Sequence, residues 1–304
     1  MLVVNPRATS TTPRTRDVLV HALSADLDIE VVPTTHRGHA IELGRRAAEE
    51  KLDLVITLGG DGTVNETVNG LLEHGPAADG PALAVVPGGG ANVFARSLGL
   101  PADPVEATGQ ILDGLREGRR RRIGLGTADG RWFTFCAGMG LDAEVVGDVE
   151  RRREAGRGST PSLFLRSAVS LFYRDTERER PALTLGVDGE DPVDDLFLVI
   201  VQNTSPWTYI GTLPVNPCPD ASFDSGLDLI ALARLRSLST VRHVRQIVQP
   251  GSRPRGKDVV ARHDLPRFTV WAARPTALQL DGEPVGDRVS VHFVSQPEAL
   301  SVVV

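Results

Sequence analysis

The chain has 304 residues, room for two domains at roughly 150 residues each, and it can build cores without disulfide or metal staples. Hydrophobic residues make up 41% and charged residues 24%, a globular balance that excludes disorder, collagen and coiled coil as the main architecture. Lys and Arg number 33 against 39 Asp and Glu, a net charge of −6, so charge gives no reason to expect nucleic acid as a partner.

Along the first third, short branched runs at Leu2–Val4, Ile29–Val32, Leu54–Leu58 and Leu83–Val86 are bounded by turn residues. Between them lie segments with helical spacing, such as Ile41, Leu43, Ala47 and Ala48. The alternation predicts an α/β domain over residues 1–122 with a parallel sheet and helices on both faces. Ligands of such sheets sit beyond the carboxyl ends of the strands. Each end here carries a notable loop: Asn5-Pro6-Arg7-Ala8-Thr9, Thr34-Thr35, Gly59-Gly60-Asp61-Gly62 and Pro87-Gly88-Gly89-Gly90.

Gly59-Gly60-Asp61-Gly62-Thr63 follows a buried strand and opens a helix, and Thr63-Val64-Asn65-Glu66 reads as a capping box. A tight strand-to-helix turn accounts for some of these glycines. Three of them around one aspartate also let a backbone approach a phosphate at a helix N-terminus, with Asp61 suited to a cation or a hydroxyl proton. Gly88-Gly89-Gly90-Ala91-Asn92 repeats the arrangement at the next strand, where Asn92 is placed to cap the helix or contact a nucleotide. Two such loops side by side suit a nucleoside triphosphate. Neither is a Walker A loop or a GxGxxG fingerprint.

Beyond Arg119–Arg122, which read as a domain junction, strand-like stretches dominate: Trp132–Phe135, Leu183–Val187, Leu196–Val201, Leu227–Leu232, Arg267–Trp271, Leu278–Leu280 and Val289–Phe293. They predict a mainly β sandwich over 123–295, interrupted by helices near Pro161–Tyr173 and Leu238–Val248. A last strand, about 296–304, is a candidate to return to the first domain. Asp281-Gly282 alone reads as a hairpin turn. With Glu283 it also presents two carboxyl groups, either of which suits the proton transfer that phosphoryl transfer to a hydroxyl requires.

Asn5-Pro6, Gly59–Thr63, Pro87–Pro101, Gly138-Met139-Gly140-Leu141-Asp142-Ala143 and Asp281-Gly282-Glu283 stand in the order and spacing of the diacylglycerol kinase catalytic family. The chain resembles that family, which includes soluble bacterial lipid kinases and sphingosine kinases and is related to NAD kinases, over essentially its whole length. The resemblance implies ATP-dependent phosphorylation of a lipid hydroxyl with Mg²⁺ in a cleft between the two domains. It places Asn5, Pro6, Arg7, Ala8, Thr9, Thr34, Gly59, Gly60, Gly62, Thr63, Val64, Asn65, Glu66, Gly88, Gly89, Gly90 and Asn92 at the nucleotide. It puts Asp61 near the phosphates and Mg²⁺, and makes Asp281 or Glu283 the base. A second, structural cation site of the family aligns with Ser222, Asp224, Ser225 and Leu227. Ser225 stands where many relatives have aspartate, Gly90 where a hydroxyl is frequent, and Gly124 where some carry a Mg²⁺-organising aspartate; these departures weaken the metal assignments.

Diacylglycerol is the leading acceptor, with a sphingoid base or other long-chain alcohol as alternative, then NAD; a non-catalytic nucleotide- or lipid-binding protein is the rival from another class. The apolar and arginine pattern of 161–174 and Arg151-Arg152-Arg153 with Arg157 fit either packing and solvated surface or contact with a lipid surface. Cys136 and Cys218 form no metal or disulfide pattern, His36 and His39 lack partners at metal spacing, and no run approaches a membrane span. No signal peptide is read at the start. A cytoplasmic protein is expected, either free or peripheral to the inner face of the membrane, with a homodimer left open.

Overall fold

The computed structural model describes residues 1–8, 12–141, 143, 144, 146–148, 181–233, 245–247, 249 and 253–304. The chain divides into two compact units, one of Met1–Leu125 with Pro297–Val304, the other of Gly126–Gln296.

In the first unit, β1 (Leu2–Val4), α1 (Pro13–Asp26), β2 (Val31–Pro33), α2 (His39–Glu49), β3 (Leu54–Gly59), α3 (Asp61–Leu71), β4 (Ala82–Pro87), α4 (Val93–Ser97) and α5 (Pro104–Arg116) alternate as the apolar pattern implies. The four strands are parallel in the order β4-β3-β1-β2. Val3, Val55, Ile56, Leu58, Leu83 and Val86 are inaccessible to solvent, which is how runs of branched residues in a parallel sheet covered on both faces behave. β2 departs from that rule. It begins at Val31 rather than Ile29, and Val31 is 39% exposed, as an edge strand allows.

One strand of this unit was hidden in the sequence. β5 (Arg120–Ala128) begins inside the arginine run, where polar residues mask its start. Arg122 donates to the carbonyls of Glu298, Ala77 and Ala78, and Arg119 to that of Val304. Those arginines therefore tie down the C-terminal segment. β16 (Glu283–Val303) ends in this unit, with Val302 paired in parallel to Leu83 of β4.

The second unit contains β6 (Arg131–Phe133), β7 (Cys136–Gly140), β8 (Leu183–Val187), β9 (Val193–Leu196), β10 (Leu198–Gln202), β11 (Thr208–Ile210), β12 (Leu213–Val215), β13 (Leu227–Leu232), β14 (Val259–Leu265), β15 (Arg267–Leu280) and the start of β16. The run at 196–201 is broken at Phe197 into β9 and β10, while 267–271 and 278–280 are one strand. The antiparallel order runs β14-β13-β10-β7-β15-β16. Residues 268–272 of β15 pair with β8, whereas 278–280 pair with β7, and the register with β16 shifts between Trp271 and Thr276. This change of partner folds the sheet over one core that includes Phe133, Met139, Leu185, Val199, Phe268 and Phe293. Phe268 and Phe293 stack at 5.0 Å. Both faces of β10 are buried, because Ile200 and Leu198 pack with Cys218, Ala221 and Ile230.

The expected helix at 161–173 and the basic residues at 151–157 lie outside the described residues, as do Thr9, Asp142 and most of 238–248. Among the described residues no helix is long and apolar enough to cross a membrane.

Candidate active site

The loops after β1, β2, β3 and β4 lie along one edge of the parallel sheet, because parallel strands all end on the same side. Asn5 anchors that edge. Its amide donates to Leu58 O, its Oδ1 accepts from Arg7 N at 2.9 Å, and its Nδ2 donates to Thr63 Oγ1 at 3.0 Å. Thr34 N donates to Val4 O, placing the end of β2 beside it.

The two glycine loops touch each other. Gly88 N donates to Gly59 O at 2.7 Å. A Cβ on Gly89 would fall 2.7 Å from Gly60 Cα, and one on Gly60 would fall 3.1 Å from Gly89 Cα. A Cβ on Gly90 would meet nothing within 4 Å. Gly60 and Gly89 are thus required by the mutual approach of the loops, whereas Gly90 is exposed and sterically free. The amides of Gly60, Gly62 and Gly90 have no acceptor among the described residues, leaving donors of the kind that bind anions at a helix start.

The caps are exchanged relative to the sequence reading. Helix α3 begins at Asp61, with Gly60 as N-cap and no side-chain cap, so Thr63 lies two residues inside it and cannot form a capping box. Thr63 instead receives Asn5, and Glu66 Oε1 accepts from Gly38 N at 2.8 Å, holding the start of α2. Asn92, in the left-handed region at φ 48°, bonds through both side-chain atoms to Gly89 N and Gly89 O. It closes its own loop rather than capping α4. That cap comes from Asp61, whose two oxygens accept from Val93 N and Phe94 N, each at 3.1 Å. Asp61 therefore links both glycine loops, a half-buried carboxylate among backbone donors. Val64 is 1% exposed and Asn65 3%. His36 and His39 stack at 5.0 Å and share the Thr35 hydroxyl.

In the second unit, Asp281-Gly282 forms the two-residue turn between β15 and β16, with φ 50° and 79° and Leu280 opposite Glu283. Those angles are what an Asp-Gly hairpin favours. The carboxylate does more than a turn needs. Asp281 is 4% exposed, and its Oδ2 accepts from Thr134 N at 2.7 Å and Thr134 Oγ1 at 2.8 Å. Its Oδ1 accepts from Phe135 N at 2.9 Å and Cys136 N at 3.1 Å. Glu283, half-buried, is the first residue of β16. Neither cysteine is a nucleophile candidate: both are buried, and burial pushes the Cys218 thiol well up.

The loop at 222–227 is closed by its own bonds. Ser225 N and Oγ both donate to Ser222 O, Ser225 Oγ also reaches Gly226 O, and Ser222 Oγ accepts from Asp224 N. Asp264 accepts from Gly226 N at 2.6 Å. The Ser225 hydroxyl thus has the Ser222 and Gly226 carbonyls within hydrogen-bond reach. Nearby, Asp228 is 2% exposed and hydrogen-bonded to His263 at 2.7 Å. Burial raises the Asp228 carboxyl, and the bond to it raises the His263 imidazole. Among the described residues no three His, Cys, Asp or Glu converge as a metal cluster.

Residues 1–128 match the diacylglycerol kinase catalytic domain model. The diacylglycerol kinase of Bacillus subtilis (strain 168) is 29% identical over 276 residues, covering 89% of this chain and 84% of that protein. A Chromohalobacter salexigens protein named "Probable lipid kinase YegS-like" is 30% identical over 275 residues, covering 90% and 83%. In fold, the chain matches a diacylglycerol kinase crystal structure from Bacillus anthracis with TM-score 0.72 at 21% identity, covering 99% and 95% of the two chains. An NAD kinase from Archaeoglobus fulgidus in complex with ATP matches with TM-score 0.54 at 14% identity, covering 100% and 92%. With a shared fold, a family model across the first unit and relatives aligned along nine-tenths of its length, the chain belongs to the diacylglycerol kinase catalytic-domain family and is a lipid kinase.

Proposed function

We propose that the chain transfers the γ-phosphoryl group of ATP to a lipid hydroxyl, with diacylglycerol the leading acceptor and phosphatidic acid the product, and with Glu283 as the general base. The observation that carries the choice of base is the saturation of Asp281. Each carboxylate oxygen offers two lone pairs, and both oxygens of Asp281 already accept two hydrogen bonds. Asp281 has no acceptor capacity left for a substrate proton. Glu283 is the other carboxylate of the turn, and it is not buried.

The amides of Gly60, Gly62 and Gly90 donate to phosphate oxygens, and Asn5 and Arg7 add donors at the same sheet edge. Mg²⁺ bound with the triphosphate would be held by Asp61 and would supply charge neutralisation, a task suited to a hard carboxylate oxygen. The acceptor oxygen attacks the γ-phosphorus, its proton passes to Glu283, and ADP leaves with the electron pair of the broken bond. The acceptor is taken from the membrane surface, in keeping with the lipid kinase and diacylglycerol kinase names of the relatives. No comparable support favours cation binding at Ser222–Leu227.

Transfer of label from γ-labelled ATP into mixed micelles tests this reading, with diacylglycerol, sphingosine and NAD offered separately. Labelled phosphatidic acid is the expected product. Label in sphingosine or NAD alone overturns the choice of acceptor.

The contrast between adjacent glycines tests the nucleotide assignment. Gly89→Ala drives a Cβ into the Gly60 backbone, where no flexible side chain can yield. We expect it to weaken ATP binding by about tenfold or more, a loss of about 1.4 kcal/mol. Gly90→Ala meets open space and should bind within about twofold of the parent, a difference of a few tenths of a kcal/mol. Calorimetric titration with Mg-ATP reads both, and equal losses would remove the loop–loop argument.

A further inference from the structure

The polar groups buried around the Asp281 turn exceed what a hairpin requires. Thr134, Gln202 and Asn203 are inaccessible, and Gln279 is 1% exposed. Burying such groups is costly unless they find partners: Gln202 bonds Thr204 O and Cys218 N, Asn203 bonds Thr134 O, and Gln279 accepts from Gly282 N. Thr134-Phe135 links β6 to β7, and supplies three of the four donors to Asp281. That link is held from its other side, because Asn203 Nδ2 donates to Thr134 O at 3.0 Å and Asn203 N to Phe135 O at 2.9 Å. The turn is also pinned directly: Asp281 N donates to Cys136 O at 2.8 Å, and Gly282 N donates to Gln279 Oε1 at 2.9 Å.

An Asn-Gly pair would make the same turn with no buried carboxylate. A buried carboxylate instead imposes direction, since both oxygens must face their donors at once. We infer that Thr134, backed by Asn203, is a positioning residue: it fixes Asp281 and through it the orientation of Glu283 at the start of β16. This inference rests on the proposed role of Glu283 as base. Thr134 touches no reacting atom in this scheme. It acts by narrowing the range of Glu283 orientations, and a base misplaced by about 1 Å loses much of its effect.

The test is a double-mutant cycle on lipid phosphorylation. Thr134→Val keeps shape and volume but removes the hydroxyl donor. It should lower kcat about tenfold, the cost of one hydrogen bond to a charged group, and leave the KM for ATP unchanged. Thr134→Ser keeps the hydroxyl and should restore the rate. In the Glu283→Gln background, measured with excess enzyme, Thr134→Val should produce no further loss, because residues acting as one unit are not additive. A purely structural Thr134 would lower both backgrounds by the same factor, and that result overturns the inference. So does a Thr134→Ser variant as slow as Thr134→Val. If Glu283→Gln keeps the parental kcat, the assignment of the base fails instead, whatever Thr134 does.

Discussion

Glu283→Gln should lower kcat for lipid phosphorylation by about 10²- to 10⁴-fold, the usual contribution of a general base, while ATP binding and thermal stability stay near parental values. The amide is the same size as the carboxylate and the position is only half-buried, so the substitution leaves no cavity and buries no new charge. Asp281→Asn should behave in the opposite way. Each Asp281 oxygen faces two donors, so an amide NH₂ at either position opposes two of them. Each buried donor left unsatisfied costs about 1–3 kcal/mol, and a marked fall in melting temperature should precede any reading of its activity. Thermal unfolding and steady-state rates on the two variants separate base from scaffold. A stable, inactive Asp281→Asn with an active Glu283→Gln would exchange the two roles.

The sequence made one half of this assignment legible and concealed the other. Asp281-Gly282-Glu283 stood out because Asp-Gly is a turn signal and two acids flank the glycine, yet nothing local distinguishes the acids. The difference is made by Thr134, Phe135 and Cys136, almost 150 positions away, and a long-range backbone donor leaves no trace in side-chain identity. The same holds for the caps. Thr63 and Glu66 have the spacing of a capping box, but Asn5 and Gly38 offer partners from elsewhere in the fold, and the helix starts at Asp61 instead. Strands with branched residues and turn borders, such as Leu183–Val187 and Leu227–Leu232, were readable to the residue. β7 was not: Cys-Ala-Gly-Met-Gly has low strand propensity, and complete burial between β10 and β15 makes it a strand.

Gly70 shows the same limit with a large energetic consequence. Glycine inside a helix ordinarily costs about 1 kcal/mol relative to alanine, so on sequence alone Gly70→Ala in α3 is a stabilising change. The fold reverses the sign. A Cβ on Gly70 would lie 2.1 Å from Ile41 O and 2.8 Å from Arg45 N, both backbone atoms of α2. Gly44 makes the reciprocal approach, its Cβ falling 2.5 Å from Thr67 O. Neither helix can yield locally, so α2 and α3 must separate along their contact. Overpacking of this kind costs about 1–3 kcal/mol and sometimes more, and backbone-on-backbone overlap belongs at the upper end. Gly70→Ala should lower stability by about 3 kcal/mol net of the propensity gain, a fall in melting temperature of roughly 10 °C. The separation would also pull on the Gly38–Glu66 bond, which joins these helices at the edge that carries the glycine loops. Gly109→Ala is the matched control: it lies in α5 with nothing within 4 Å of the new Cβ. It should raise stability by about 0.5–1 kcal/mol. Thermal unfolding of the pair decides the matter, because a stabilised Gly70→Ala would mean that α2 and α3 do not cross as closely as their glycines allow.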